Sequence, residues 1–167
     1  MPQREVFLSH SSQDRKFATE LAEVLRRHGI PVWYSKTHIR GARQWHDAIG
    51  RALARCTWFV IILSPGAVDS MWVKNELLFA LNQRRYRDKI APVLYKKCKY
   101  EKLSWTLSSF QIVDFTESIE EGYRELLKVW EVDLIRQSKR RVGLRVRESL
   151  GENQARLLLA TAELRIE

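Results

Sequence analysis

The chain has 167 residues, with 29 Lys or Arg against 20 Asp or Glu, so its formal net charge at pH 7 is +9. This length fits one domain with a small appendage, and a hydrophobic content of 45% is typical of a folded protein. The positive charge favours an anionic partner such as a nucleotide, a nucleic acid or an acidic membrane.

The composition does not indicate a membrane span, a disulfide or a metal site. The longest apolar run, residues 58–63, is far shorter than the ~20 residues that cross a bilayer. Cys56 and Cys98 are the two cysteines, and neither lies in a CxxC pair. The first residues lack the apolar core of a secretory signal. We expect a cytoplasmic protein with no metal, no cofactor and no membrane contact.

Short apolar runs alternate with amphipathic segments along residues 1–131. The strands are predicted at residues 5–9, 30–34, 58–63, 90–95 and 111–115, and the helices at residues 15–28, 45–56, 71–85 and 119–130. The run Trp58–Leu63 is apolar on both faces, as is typical of a central strand in a covered parallel sheet. The alternation predicts an α/β fold, flavodoxin-like and doubly wound, with a five-stranded parallel sheet and helices on both faces.

Residues 132–167 differ in composition from the preceding domain. Residues 136–147 contain six basic side chains and no acidic one, and three leucines then recur at intervals of seven. Two repeats are too few to indicate a coiled coil. We expect a basic, amphipathic C-terminal helical extension or linker, with residues 136–167 available to a partner protein.

The loops after the predicted strands are the place to look for a ligand, because open α/β sheets bind ligands at the carboxyl ends of their strands. The first three strands lead into Ser9–Ser11, Tyr34–Lys36 and Ser64–Gly66. These segments lack the acidic residues with which a response-regulator receiver binds magnesium and accepts phosphate. The glycine patterns of P-loops and dinucleotide folds are also missing from the chain.

Trp72 and Glu76 lie four residues apart in the helix predicted after the third strand, so they share one face of it. A carboxylate beside a flat aromatic ring, near a basic loop, suits a nucleotide site. The spacing alone favours a structural interpretation, with Trp72 in the core and Glu76 solvated.

Taken together, these segments resemble a Toll/interleukin-1 receptor (TIR) domain of the bacterial type. Val6–Ser11 resembles the family's first conserved motif. Gly29–Tyr34 and the polar loop after it resemble the second strand and the BB loop, the loop Ser35–Gln44. Trp58–Val68 and Ser70–Glu76 resemble the third strand and the helix that follows it.

The resemblance implies an enzyme that cleaves NAD⁺ between nicotinamide and ribose, with Glu76 as the catalytic residue. The substrate-binding residues that it implies are Ser9, His10, Ser11, Ser35, Lys36, Trp45 and Trp72. Many family members carry an acidic residue after the second strand, where it can contact ribose hydroxyls. This chain has Ser35 at that position.

The resemblance also implies how such an enzyme is regulated and what it makes. Water attack on the ribose gives ADP-ribose, whereas attack from within the same molecule gives a cyclic ADP-ribose. Activation by self-association is expected, through surfaces that include Ser35–Gln44, in bacterial immune or virulence signalling. The alternative is a non-catalytic scaffold that assembles with partner TIR domains.

Two further alternatives belong to other classes of protein. A nucleoside deoxyribosyltransferase has a similar fold and also uses a glutamate. Nucleic-acid binding rests on the net charge alone, since the chain has no recognition helix, no aromatic stacking series and no RNA-binding signature. We therefore expect no nucleic acid among the partners.

Overall fold

The computed structural model describes residues 5–35 and 42–135, and of residues 42–45 only the backbone. Residues 1–134 form one compact unit and residues 135–167 a second. The predicted extension at residues 136–167 lies outside the described residues, so the domain boundary at residue 131 stays a prediction.

Five parallel strands form one sheet in the order β2-β1-β3-β4-β5. The strands are β1 Val6–Ser9, β2 Val32–Trp33, β3 Trp58–Leu63, β4 Ile90–Leu94 and β5 Val113–Asp114. β3 pairs with both β1 and β4, which confirms its central place. The strand order is that of the flavodoxin-like fold, so the predicted fold class is confirmed.

The described helices cover both faces of the sheet. They are α1 Arg15–Arg27, α2 Ala42–Arg55, α3 Pro65–Val68, α4 Met71–Leu81 and α5 Ile119–Lys128. One core cluster contains side chains of α1 and α5, and the other contains side chains of α2 and α4. Val6 and Leu8 of β1 belong to the first cluster and Phe7 to the second, as the alternation of side chains along a strand requires. Within the described residues, no helix is long and apolar enough to cross a membrane.

The helix predicted over residues 71–85 is shorter than expected and ends at Leu81. The Asn82 side chain donates a hydrogen bond to the carbonyl oxygen of Leu78 at 2.9 Å and so covers the helix end. The chain then turns through a 3₁₀ segment that takes Tyr86, which is fully buried, into the core. A continued helix would not direct this ring into the same place.

The strands predicted at residues 30–34 and 111–115 pair over only two residues each. Both are edge strands in the sheet order, so each has one neighbour. Ile30 and Tyr34 are nonetheless buried, at 2% and 5% exposure. The apolar pattern therefore predicts which residues of these two segments are buried more accurately than which residues pair with a neighbouring strand.

Candidate active site

The side chain of Ser9 faces α4 at the carboxyl end of β1. Phe7, two residues earlier, packs in the core cluster that contains Val73 and Leu77 of α4, so Ser9 faces the same side. The Ser9 hydroxyl donates a hydrogen bond to Oε2 of Glu76 at 2.5 Å. A strand end and a helix thus meet at one carboxyl group.

Glu76 lies at the edge of the buried face of α4. Ser70 caps this helix by accepting a hydrogen bond from the backbone N–H of Val73 at 3.3 Å. Val73, Leu77 and Ala80 are buried, and Glu76 is partly buried beside them. Burial raises the pKa of Glu76 to about 7, and the hydrogen bond from Ser9 offsets part of this rise by favouring the charged form.

Trp72 precedes Glu76 by one helical turn and is 43% exposed, so it is not a core residue. Its ring lies 4.7 Å from that of His46 on α2, measured between centroids, with the planes tilted by 57°. No motif around His46 predicts this contact. The two rings form a partly exposed aromatic surface between α2 and α4, next to Glu76.

His10 and Ser11 continue the chain after Ser9, and the hydrogen bonds of their side chains are local. Nδ1 of His10 donates a hydrogen bond to the Ser11 carbonyl oxygen at 2.8 Å, and the His10 ring lies 5.9 Å from that of Tyr34. Among the described residues, Nε2 of His10 is buried and has no hydrogen-bond partner. The Ser11 hydroxyl accepts from the Gln13 backbone N–H at 3.1 Å.

The remaining predicted residues surround the second strand. Ser35 directly follows β2 and is partly buried. Lys36 lies outside the described residues, as does most of the Ser35–Gln44 loop. Trp45 lies on α2 one residue before His46, and its side chain is outside the part of the chain that the structure describes. Substrate contacts by these residues stay predictions.

The structure thus brings Ser9, Trp72 and Glu76 together. It also contains a buried pair nearby that no motif predicts: the Ser64 hydroxyl donates a hydrogen bond to Oδ2 of Asp14 at 2.5 Å. In the part of the chain that the structure describes, no group of three His, Cys, Asp or Glu residues could hold a metal ion.

Sequence comparisons relate the chain to known proteins. Residues 6–127 match the family model described as the TIR domain. The 2′ cyclic ADP-D-ribose synthase BtTIR of Bacteroides thetaiotaomicron is 30% identical over 108 residues, which is 64% of this chain and 38% of that protein. The NAD(+) hydrolase TcpA of a Theionarchaea archaeon is 30% identical over 74 residues, 44% of this chain and 22% of that protein. The chain therefore spans less than half the length of these relatives.

The fold has a counterpart among solved structures. The TIR domain of the Toll-related receptor TRR-2 from Hydra magnipapillata superimposes with a TM-score of 0.61 at 18% sequence identity, covering 74% of this chain and 94% of that one. The fold, the order of the conserved segments and the family model agree. The chain belongs to the TIR domain family.

Proposed function

We propose that this chain cleaves NAD⁺ at the bond between nicotinamide and ribose, with Glu76 as the catalytic residue. The observation that carries the proposal is the partly buried Glu76 carboxyl group, held by Ser9 at 2.5 Å beside the half-exposed ring of Trp72. The names of the two relatives, a cyclic ADP-ribose synthase and an NAD⁺ hydrolase, support the choice of substrate.

One carboxylate is sufficient for this reaction. Glycoside hydrolases usually need a second carboxyl group to protonate the leaving group. Nicotinamide in NAD⁺ is already cationic, so it leaves as a neutral molecule with the bonding electron pair. The positive charge then moves to the ribose, where Glu76 stabilises it or bonds to the anomeric carbon.

Ser9 and Trp72 prepare this carboxylate for its role. Ser9 occupies Oε2 of Glu76 and thereby fixes the orientation of the side chain. We assign the other oxygen, Oε1, to the contact with the anomeric carbon. The exposed ring of Trp72, which lies against that of His46, offers a flat surface on which nicotinamide can stack.

The remaining parts of the dinucleotide would be bound by the neighbouring loops and by the first turn of α2. We assign the binding of these parts to five residues: His10, Ser11, Ser35, Lys36 and Trp45. Water would complete the reaction to ADP-ribose, losing a proton as its oxygen bonds to the anomeric carbon. A ribose hydroxyl of the same molecule would instead give a cyclic ADP-ribose.

Self-association is part of the proposal. Met71, Leu78 and Phe79 of α4 are 67%, 40% and 40% exposed, an apolar surface that assembly would remove from water. The Ser35–Gln44 loop is a second contributing segment, and residues 136–167 are the segment that a partner protein would bind. The same exposed surface supports the alternative, a TIR scaffold without catalysis.

The test is incubation of the full chain with NAD⁺, with products separated by mass and retention time. We expect nicotinamide together with ADP-ribose or a cyclic ADP-ribose, in equal molar amounts. Parallel incubation with deoxynucleosides tests the deoxyribosyltransferase alternative. NAD⁺ left intact at every protein concentration, with assembly still observed, would overturn the enzyme and favour the scaffold.

A further inference from the structure

Two loops at the carboxyl edge of the sheet are joined by one buried hydrogen bond. Asp14 is the last residue of the β1–α1 loop, residues 10–14, and Ser64 is the first residue of the β3–α4 loop, residues 64–70, which includes the short helix α3. Their side chains meet at 2.5 Å, with Asp14 3% exposed and Ser64 1% exposed. Because neither group reaches solvent, loss of one partner leaves the other unsatisfied in the protein interior.

The other hydrogen bonds of Ser64 and Asp14 leave these two side chains free to bond to each other. The Ser64 hydroxyl accepts from the backbone N–H of Ala67 at 3.0 Å, which caps α3, and its own proton is donated to Asp14. Asp14 occupies the N-cap position of α1 but makes no capping hydrogen bond there. An aspartate in that position normally caps its own helix. Here it bonds across to a different loop.

The two loops also make a close contact at Gly66. A Cβ atom on Gly66 would lie 2.9 Å from Oγ of Ser11 and 2.7 Å from Oε1 of Gln13. The Gln13 amide is at the end of a flexible side chain and can move. Ser11 is held by its cap on the 3₁₀ turn and cannot yield as readily. Glycine therefore permits the close contact between these loops.

The joined loops are connected to the candidate site on both sides. The β1–α1 loop starts directly after Ser9 and carries His10 and Ser11. The segment after Ser64 leads through α3 to Ser70, whose hydroxyl caps α4, the helix of Glu76. The pair thus links the loop assigned to the substrate with the helix assigned to catalysis.

We propose that Asp14 is a positioning residue for the substrate, acting through Ser64 to hold the β1–α1 loop in its binding conformation. This inference rests on the proposed function. Asp14 is buried and does not itself touch the substrate. Its loss should therefore weaken NAD⁺ binding more than it slows the chemical step.

Kinetics of three variants test the proposal. Asp14→Leu removes the acceptor, and we expect KM for NAD⁺ to rise about tenfold while kcat changes by less than about twofold, in keeping with the loss of a buried hydrogen bond. Asp14→Asn keeps an acceptor oxygen and should restore KM to near the wild-type value. Adding Ser64→Ala to Asp14→Leu should raise KM by much less than tenfold, because the hydrogen bond between the two residues is already lost and only the Ser64 cap on Ala67 is removed in addition. Asp133→Leu, at an exposed position, is the matched control.

An Asp14→Leu variant with unchanged KM, or one in which only kcat falls, would overturn the positioning role and leave the proposed function standing. If Asp14→Leu does not fold, Gly66→Ala takes its place: it separates the loops without removing a buried partner, and a raised KM supports the proposal whereas an unchanged KM overturns it.

A readout without NAD⁺ separates this proposal from the proposed function. The Gln13 and Ala67 amides donate to Ser11 and Ser64, and their hydrogen exchange reports whether the loops stay joined. Faster exchange at both amides in Asp14→Leu, with Ile61 of β3 unchanged, supports the joined-loop arrangement even if the wild type cleaves no NAD⁺. Unchanged exchange at both amides overturns it.

Discussion

The carboxyl group of Glu76 experiences two opposing influences. Burial raises its pKa to about 7, and the Ser9 hydroxyl favours the charged form and limits that rise. Only the ionised carboxylate can stabilise a positive charge on ribose. The ionised fraction of Glu76 therefore changes within the neutral pH range, and under the proposed function the activity should change with it, to an extent that depends on Ser9.

The first prediction concerns pH. The value of kcat/KM should rise with pH to a plateau, with a midpoint near pH 7, because this ratio reports the free enzyme's ionisation. Ser9→Ala removes the hydrogen bond that lowers the pKa, so its midpoint should lie at higher pH. Ser109→Ala, at an exposed serine, is the control. A midpoint near 4.5, or a shift of the Ser9→Ala midpoint to lower pH, would contradict this account.

The second prediction concerns stability. A carboxyl group whose pKa is higher in the folded state favours folding below its unfolded-state value of 4.5, and this contribution is lost as pH rises through about 7. Glu76→Gln cannot ionise. It should match the wild type below pH 4.5 and exceed it by about 3 kcal/mol above pH 7.

Urea denaturation of both proteins across this pH range measures the difference. Equal free energies of unfolding at every pH would contradict the buried, destabilised carboxylate, as would a wild type more stable than Glu76→Gln at pH 8.

Sequence spacing predicted part of this residue-level arrangement. The four-residue interval places Trp72 and Glu76 on one helix face because helical geometry is local. The Ser9–Glu76 bond depends instead on how α4 packs over β1, and the His46–Trp72 contact depends on how α2 and α4 pack together. Neither arrangement is encoded by a local interval. The Asp14–Ser64 pair spans 50 residues of sequence, which is why Asp14 is predictable only as a helix cap.

At the scale of elements, the central strand was the most predictable part of the fold. A run that is apolar on both faces, such as Trp58–Leu63, suits only a strand covered on both sides. The edge strands β2 and β5 and the end of α4 were less predictable, because tertiary contacts decide them. Tyr86 is an example. Its hydroxyl donates a hydrogen bond to the Leu53 carbonyl oxygen at 2.6 Å in the core, and α4 ends before Tyr86 so that the ring can occupy this position.

The third prediction tests the packing of α5 against Phe115, the residue that follows β5. A Cβ atom on Gly122 would lie 2.6 Å from the ring of Phe115, which is itself 2% exposed. Gly122→Ala should lower the free energy of unfolding by about 1–3 kcal/mol, as overpacking does in well-packed cores. Gly50→Ala is the matched control, since nothing lies within 4 Å of a Cβ there. A Gly122→Ala variant as stable as the Gly50→Ala variant would contradict the close contact.

At the scale of the whole molecule, the net charge of +9 is less informative than its placement. Among the described residues, exposed lysines follow β4 at the carboxyl edge of the sheet: Lys96, Lys97, Lys99 and Lys102. Such a distribution suits the pyrophosphate of a dinucleotide.

The alternation of strands and helices predicted the doubly wound architecture because connections between parallel strands must cross a sheet face. The role of residues 136–167 stays a prediction.

The fourth prediction concerns assembly. If self-association activates the enzyme, nicotinamide release per molecule should increase with protein concentration. Phe79→Asp places a charge in the exposed apolar surface of α4 and should weaken that dependence, whereas Lys128→Asp on α5, also an exposed position, should not. Sedimentation of the same samples reports the assembly itself. Activity per molecule that is constant over the whole concentration range would contradict activation by assembly.

The central claim is that the Glu76 carboxylate cleaves NAD⁺, and the most direct measurement is nicotinamide release by wild type, Glu76→Gln and Glu125→Gln at equal concentration. Glu125 is an exposed glutamate on α5, far along the chain from the site, and serves as the matched control. We expect Glu125→Gln to release nicotinamide like the wild type and Glu76→Gln to release none while remaining folded. Turnover retained in Glu76→Gln would contradict the account.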